Sequence, residues 1–364
     1  MWSYRLKHLE HLSTATGIFE HALYTEPRIE HGYCTDDNAR LLVVMTRERD
    51  EGVAHRLSRV ALSFVLDSQT DAGLVRNRFR HEGFWRWVDQ GGLGDPWGRA
   101  MWALGTAAAN HANPGVRAMA RWGFDRGVRQ RSPWLRSTAF AALGAADLLI
   151  EAPDHEWARS MLVDASVQLL PASRNGTPWP ERRLSYANAA IPEALMAAGY
   201  ALEAPEVTRR GLDMLDWLLE SQLQDGHLSV VGSAGRDVYD RSPAFDQQPI
   251  EVAALADACW RAWSITGQPH WRAGIAMCAD WFLGRNDVGA VMVDTHTSGC
   301  YDGLEPHGPN LNEGAESALA LVSTMQRACA LLPYRAQASV DAQQDGVPHD
   351  DRSKVRPPVL AAIS

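Results

Sequence analysis

Residues 100–109 read AMWALGTAAA and residues 137–149 read STAFAALGAADLL. Two further stretches have the same character, ANAAIPEALMAAGYAL at 187–202 and GAESALALVST at 314–324. Each is long enough for three or four helical turns and is small and apolar on every side. A helix apolar all round is buried all round. Ala and Gly also let such helices approach closely. Between these stretches lie helices with a polar face, for example the one carrying Arg117, Arg121, Arg126 and Arg129.

Apolar residues recur at helical spacing along almost the whole chain. The spacing predicts helices over 8–24, 36–48, 52–69, 96–110, 114–130, 134–150, 154–170, 186–202, 205–223, 247–266, 269–284 and 312–332. These are twelve helices in consecutive pairs, with the even-numbered ones buried. Strand-like pieces are short and fall in connections, at 73–79, 227–231 and 288–294. No strand–helix alternation appears, which argues against a parallel sheet or a β/α barrel. Six buried helices inside six outer ones describe an all-α (α/α)6 toroid over residues 1–332. An open solenoid would repeat at a regular length, and the even helices are spaced irregularly. Residues 333–364 are polar with few large apolar side chains and are expected to be a disordered tail or a surface strap.

The 364 residues are 46% hydrophobic with a net charge of −9. A sizeable core is expected, and a nucleic-acid partner is not. The five cysteines, Cys34, Cys259, Cys278, Cys300 and Cys329, have no paired spacing, so neither a disulfide framework nor a structural zinc site is expected. No apolar run reaches a membrane span, and the first residues lack a signal-peptide core, so a cytoplasmic protein is predicted. No dinucleotide, P-loop or G-x-S-x-G motif is present, and no cofactor or metal is predicted. The 14 tryptophans suit a carbohydrate partner, whose C–H faces stack on indole, although most Trp residues are core.

In a toroid of this kind the inner helices run parallel and their N-termini gather at one mouth. The even-helix starts are chemically rich. The first is Tyr33-Cys34-Thr35-Asp36-Asp37-Asn38-Ala39-Arg40. The second holds Asp95-Pro96-Trp97 and the third Ser132-Pro133-Trp134, both explained by capping. The fourth follows Trp179-Pro180-Glu181 and opens Tyr186-Ala187-Asn188. The fifth is Asp246-Gln247-Gln248-Pro249-Ile250-Glu251. The sixth follows a long loop with His296, Asp302, His307 and Asn310, and opens Asn312-Glu313-Gly314-Ala315-Glu316. Asp36 and Asp37 are more carboxylates than one cap needs, and adjacent like charges push one pKa upward. Glu251 and Glu316 lie one turn into apolar helices, where a charge must find a partner. Arg40 lies on the face of Asp36 and Asp37 and can close the ring onto Glu316.

With these residues in view, the chain resembles the (α/α)6 six-hairpin superfamily. That group includes glycoside hydrolases, unsaturated glucuronyl hydrolases and N-acylglucosamine epimerase-like proteins. More narrowly it resembles a bacterial group marked by GYCTDDNAR (32–40), DQQPIE (246–251) and NxNxGAES (310–317), often labelled glycosyltransferase-associated. The resemblance implies a carbohydrate substrate. Glycosidic cleavage needs an acid and a carboxylate. Asp37 or Asp36 is the expected carboxylate on one side and Asp246 on the other, with Glu181, Glu251 and Glu313 in reserve. Trp97, Trp134 and Trp179 are expected to stack sugar rings. Tyr33, Arg40, Tyr186, Asn188, Gln247, Gln248, Asp302, Asn310, Asn312 and Glu316 are expected to bind the substrate. The alternatives are an epimerase using His296 or His307, and a non-catalytic glycan-binding accessory protein.

Overall fold

The computed structural model describes residues 4–48, 51–170 and 176–332; the predicted tail lies outside them. Twelve α-helices follow one another among the described residues: α1 Lys7–Leu12, α2 Thr35–Thr46, α3 Glu51–Ser68, α4 Asp95–Asn110, α5 Pro114–Gly127, α6 Leu135–Glu151, α7 Glu156–Leu169, α8 Ala190–Ala201, α9 Pro205–Ser221, α10 Pro249–Thr266, α11 Pro269–Phe282 and α12 Ala315–Ala330. Their limits follow local chemistry. Proline occupies the first turn of α4, α5, α9, α10 and α11, where its missing N–H costs nothing. Asn113 caps α5 by accepting from the amides of Gly115 and Val116. Gly267, at φ +68°, ends α10 in the left-handed conformation.

The first helix is the main departure from expectation. It was predicted over 8–24 and stops at Leu12. Ser13 turns its hydroxyl back to the Leu9 carbonyl, and Thr14 closes a turn onto Gly17. These small polar residues satisfy the backbone locally and compete with the helix. The rest of the segment is a connection holding a two-residue strand pair and a short 3₁₀ turn at Ile29–His31. The predicted fourth and sixth inner starts also move inward, to Ala190 and Ala315, because Asn188 and Asp302 hold the preceding backbone in non-helical turns.

The even-numbered helices form a closed ring. Helix α2 packs on α4, α4 on α6, α6 on α8, α8 on α10, α10 on α12, and α12 back on α2. Each is backed by an outer partner, α3, α5, α7, α9 and α11 in turn, with α1 against α12. The α4–α6 seam is the tightest. A Cβ on Gly98 would lie 2.3 Å from the Ser137 carbonyl, and one on Gly105 would lie 2.3 Å from the Gly144 carbonyl. Backbone meets backbone there, which only Gly permits.

All six connections into inner helices lie at one end, and they are long. The five that lead from an inner helix to its outer partner are two to four residues. Two of these connections meet in a three-stranded antiparallel sheet, in which Tyr33–Cys34, just before α2, pairs with Arg78–His81 and that with Trp85–Trp87, both from the connection into α4. The strand-like piece at 227–231 pairs only at His227–Leu228, and that at 288–294 makes isolated bridges. Deep in the ring lies a layer of buried ions. Asp257 accepts from Arg47 at 2.9 Å and Arg327 at 2.6 Å, and Arg261 reaches Glu193 at 3.2 Å and Asp147 at 3.3 Å. No helix among the described residues is long and apolar enough to cross a membrane.

The α4–α6 seam gives a direct test. An added methyl in Gly144→Ala would lie 2.2 Å from the Met101 carbonyl. The variant is expected to lose about 1–3 kcal/mol in urea unfolding, the usual cost of overpacking. Gly92→Ala, with open space around its Cβ position, should be close to neutral. Equal behaviour of the two variants would refute the seam.

Candidate active site at the mouth of the toroid

The first turns of the inner helices are joined by guanidinium–carboxylate contacts. Arg40 on α2 reaches Asp37 at 2.5 Å on its own helix and Glu316 on α12 at 2.6 Å. Arg99 on α4 bonds Asp36 of α2 at 3.1 Å and Asp95 at 3.3 Å, and lies 4.4 Å from the centre of the Phe140 ring. Arg136 on α6 pairs with Glu181 and donates to Asn188 and to the Tyr186 carbonyl, both at 2.9 Å. Glu251 on α10 accepts from the Ala187 amide and from the Asn188 side chain at 2.9 Å. Asp302 accepts from the Gly314 amide and the Ser317 hydroxyl, which fixes the start of α12. The six starts therefore converge on one mouth, as the sequence predicts.

Neither Asp36 nor Asp37 caps α2. Asn77 accepts from the amides of Thr35 and Asp36, and the Cys34 sulfur takes the Asp37 amide. Both carboxylates are left for other partners. Asp37 is buried between the Cys34 thiol, which donates at 3.0 Å, and Arg40. Burial lifts its pKa to about 6 against the pull of Arg40. Asp36 stays within reach of the mouth on Arg99.

A narrow axial cleft runs inward from Arg40 and Arg99. Its walls include Trp102, Phe140, Leu143, Ile250 and Leu319, and Glu193, Asp257 and Ser323 lie deeper along it. Trp102 stacks on Phe140 at 5.8 Å. No family model matches the chain, and no curated protein matches it in sequence. Solved structures do. A cellobiose 2-epimerase from Bacillus thermoamylovorans superposes with a TM-score of 0.64 at 11% identity, covering 89% of this chain and 96% of that one. A D-mannose isomerase gives 0.61 at 9% identity over 90% and 96%. A metagenome-derived glycoside hydrolase family 9 endoglucanase gives 0.59 at 13% over 86% and 71%. This is the (α/α)6 six-hairpin fold.

Several residues expected to touch substrate serve the scaffold instead. Trp97 is fully buried and donates to the Gly127 carbonyl, and Trp179 is buried against Trp217. Neither offers a face to a sugar. Tyr33 is buried in an aromatic cluster, stacked on Phe19 at 4.4 Å. Gln247 binds Asp287 and takes the Trp281 indole N–H, and Asn188 is enclosed by Arg136, Glu251 and the Ser185 amide. Glu313 is buried, bonded to Thr297 and 3.7 Å from His8, with its pKa lifted by burial to about 7. Asn310 and Asn312 hold backbone amides of Asn312 and Tyr24. His296 and His307 are exposed on the connection before α12.

Other predicted residues do lie at the mouth. Glu181, Glu316, Asp36, Asp246 and Gln248 are all partly accessible. Asp246 has one oxygen facing Gln248 at 3.3 Å, while Oδ1 is buried against Gly303 without a hydrogen-bond partner. Tyr186 and Trp134 are exposed. Tyr186 has its hydroxyl pKa raised by burial and then by Asp95. The sequence reading missed Arg99 and Asp95, because Asp95 was explained as a cap. An Arg one turn into an apolar helix is the same signal that marked Arg40. It also missed His21 and His31, whose Nδ1 atoms meet at 2.9 Å near the mouth. Glu20, Cys34 and Asp37 bring ligand-type atoms within 4.8 Å of one another. Arg78 already pairs with Glu20 and Arg40 with Asp37, and the Cys34 thiol is pushed up by burial, so this set suits a metal poorly.

Glu251 supplies a pH test. Burial lifts its carboxyl from 4.5 to about 7 despite the Ala187 amide and Asn188. Between those values the folded chain keeps a proton that the unfolded chain has released. This contribution therefore makes stability fall as pH rises from about 4.5 to 7. Urea unfolding at pH 5 and pH 8 should give a smaller drop for Glu251→Gln than for the parent. An unchanged drop would mean that Glu251 ionises normally.

Proposed function

We propose that the chain is a carbohydrate-active enzyme that hydrolyses a glycosidic bond with carboxylates at the mouth. The observation carrying this reading is the set of partly accessible carboxylates, Asp36, Asp95 and Glu316, arranged on two arginines that line the axial cleft. Carboxylates bridged to arginines accept hydrogen bonds from sugar hydroxyls, and Trp102 and Phe140 offer apolar wall for ring faces. The likeness to an endoglucanase of the same fold lends the reading support by analogy.

Asp36 and Asp246 are assigned to the bond-breaking step. Asp36 is held by Arg99 and open to the mouth. Asp246 precedes α10 and is partly accessible, with its Oδ2 beside Gln248. Asp37 is too buried to touch a substrate; it orients Arg40 and through it Glu316. A second reading, a sugar epimerase, draws on the likeness to epimerases and an isomerase and on the His21–His31 pair. Proton transfer at a sugar carbon needs groups that can take up and release a proton, a role imidazoles commonly fill.

Incubation with a panel of oligosaccharides separates the readings. New reducing ends are expected; a changed sugar without cleavage supports epimerisation and defeats hydrolysis. Asp36→Asn and Asp246→Asn should each keep the fold and lower kcat by roughly 10²–10⁴-fold. Near-parental turnover of either variant removes that residue from the assignment.

A further inference from the structure

The two ends of the toroid differ in one respect that the site chemistry does not require. The short connections from inner to outer helices, residues 47–50, 111–113, 152–155, 202–204 and 267–268, contain no Phe, Tyr or Trp. The connections that enter the inner helices carry exposed aromatic rings on five of the six: Tyr24, Phe84 with Trp85, Trp134, Tyr186 and Tyr239. Exposed aromatic surface is costly unless a partner covers it. Trp134, 64% exposed, stands immediately before α6. Tyr186 stands over Arg136, 5.4 Å from its guanidinium. Trp85 closes the sheet that leads into α2 and leans on Tyr33 at 5.1 Å. The amide of Tyr24 is tied to Asn312 at the start of α12.

Charge narrows the partner. In the first turns and the residues bonded to them, Asp36, Asp37, Asp95, Glu181 and Glu316 outnumber Arg40, Arg99 and Arg136. Each of these guanidiniums is already bonded to two protein groups or more. An added carboxylate, sulfate or phosphate would meet excess negative charge and no unengaged cation in this belt. A hydroxyl meets acceptors in the carboxylates. It also meets donors in the Nε–H groups of Arg40 and Arg99, which are buried and have no protein partner.

We propose that the mouth binds an uncharged oligosaccharide of three or more units, with the sugar at the cleft held by Arg40, Arg99 and the carboxylates. Successive rings lie over Tyr186, Trp134 and Trp85, on connections along one side of the ring. This inference rests on the carbohydrate reading above and adds to it the charge and length of the substrate.

The test is calorimetric titration with cello-, manno- and malto-oligosaccharides of two to six units, and with oligogalacturonides of the same lengths. At least one neutral series should bind, with affinity rising roughly tenfold from the disaccharide to the tetrasaccharide, about 1.4 kcal/mol. Trp134→Ala should abolish most of that rise, whereas Trp157→Ala, on the outer helix α7, should preserve it. Tighter binding of oligogalacturonides, affinity independent of length, an unaffected rise in Trp134→Ala, or no binding in any series would each overturn the proposal. Its failure is separable from that of the hydrolase reading. Binding without new reducing ends defeats hydrolysis alone. Cleavage confined to oligogalacturonides, or turnover of short aryl glycosides without oligosaccharide binding, defeats this proposal alone.

Discussion

A guanidinium taken out of water must be matched by carboxylates or other acceptors, and much of this structure follows from that demand. Arg40 and Arg99 sit about one turn into, and Arg136 at the second residue of, helices that run on in apolar residues. None can be satisfied on its own helix alone. Each therefore reaches a neighbour, and the neighbours are the adjoining inner helices or the residues just before them. Ring geometry and site geometry are for this reason the same set of bonds. The deeper ion layer repeats the principle, with Asp257 shared by Arg47 and Arg327 and with Arg261 shared by Glu193 and Asp147. There it fills an axis that six apolar helices of unequal length would leave incompletely packed.

This arrangement divides the acidic groups into two populations. Asp37, Glu251 and Glu313 are buried, with their pKa values lifted to about 6, 7 and 7. They carry the neutral-range titrations that a search for catalytic groups would seize on, yet each is enclosed by protein partners. Asp36, Asp95, Glu316 and Asp246 remain partly open to the mouth. A perturbed carboxyl is thus a guide to burial here before it is a guide to chemistry.

The fold was legible because its strongest signal, helices apolar on every face, has one structural meaning. Even the pairing of helices followed from their alternation with polar-faced ones. The positions of inner-helix starts were legible for the same reason, and with them Asp36, Arg40, Asp246 and Glu316. Side-chain direction was not. Trp97 and Trp134 look alike in sequence, each beside a proline at a helix start, but Trp97 falls on the inward face of α4 and Trp134 precedes α6 and points outward. Residues on irregular connections were hidden as well. His21 and His31 are ten positions apart with no periodicity to bring them together, and only the turn between them does so. Helix α1 was overestimated because the local hydrogen bonds of Ser13 and Thr14 leave little trace in an apolar pattern.

Mechanically the toroid is a split ring. Between α4 and α6 the backbones touch through glycine, and the Thr106 hydroxyl donates to Asp147 across the seam. Between α2 and α12, where the two ends of the ring meet, the named ties are polar: Arg40 to Glu316, Arg47 to Ser323, and Gln326 to the Val44 carbonyl. Helix α1 lies over this joint as a clasp on α12. Ionic strength bears on the cut through the Arg40–Glu316 pair, whereas the α4–α6 joint is held mainly by direct backbone contact.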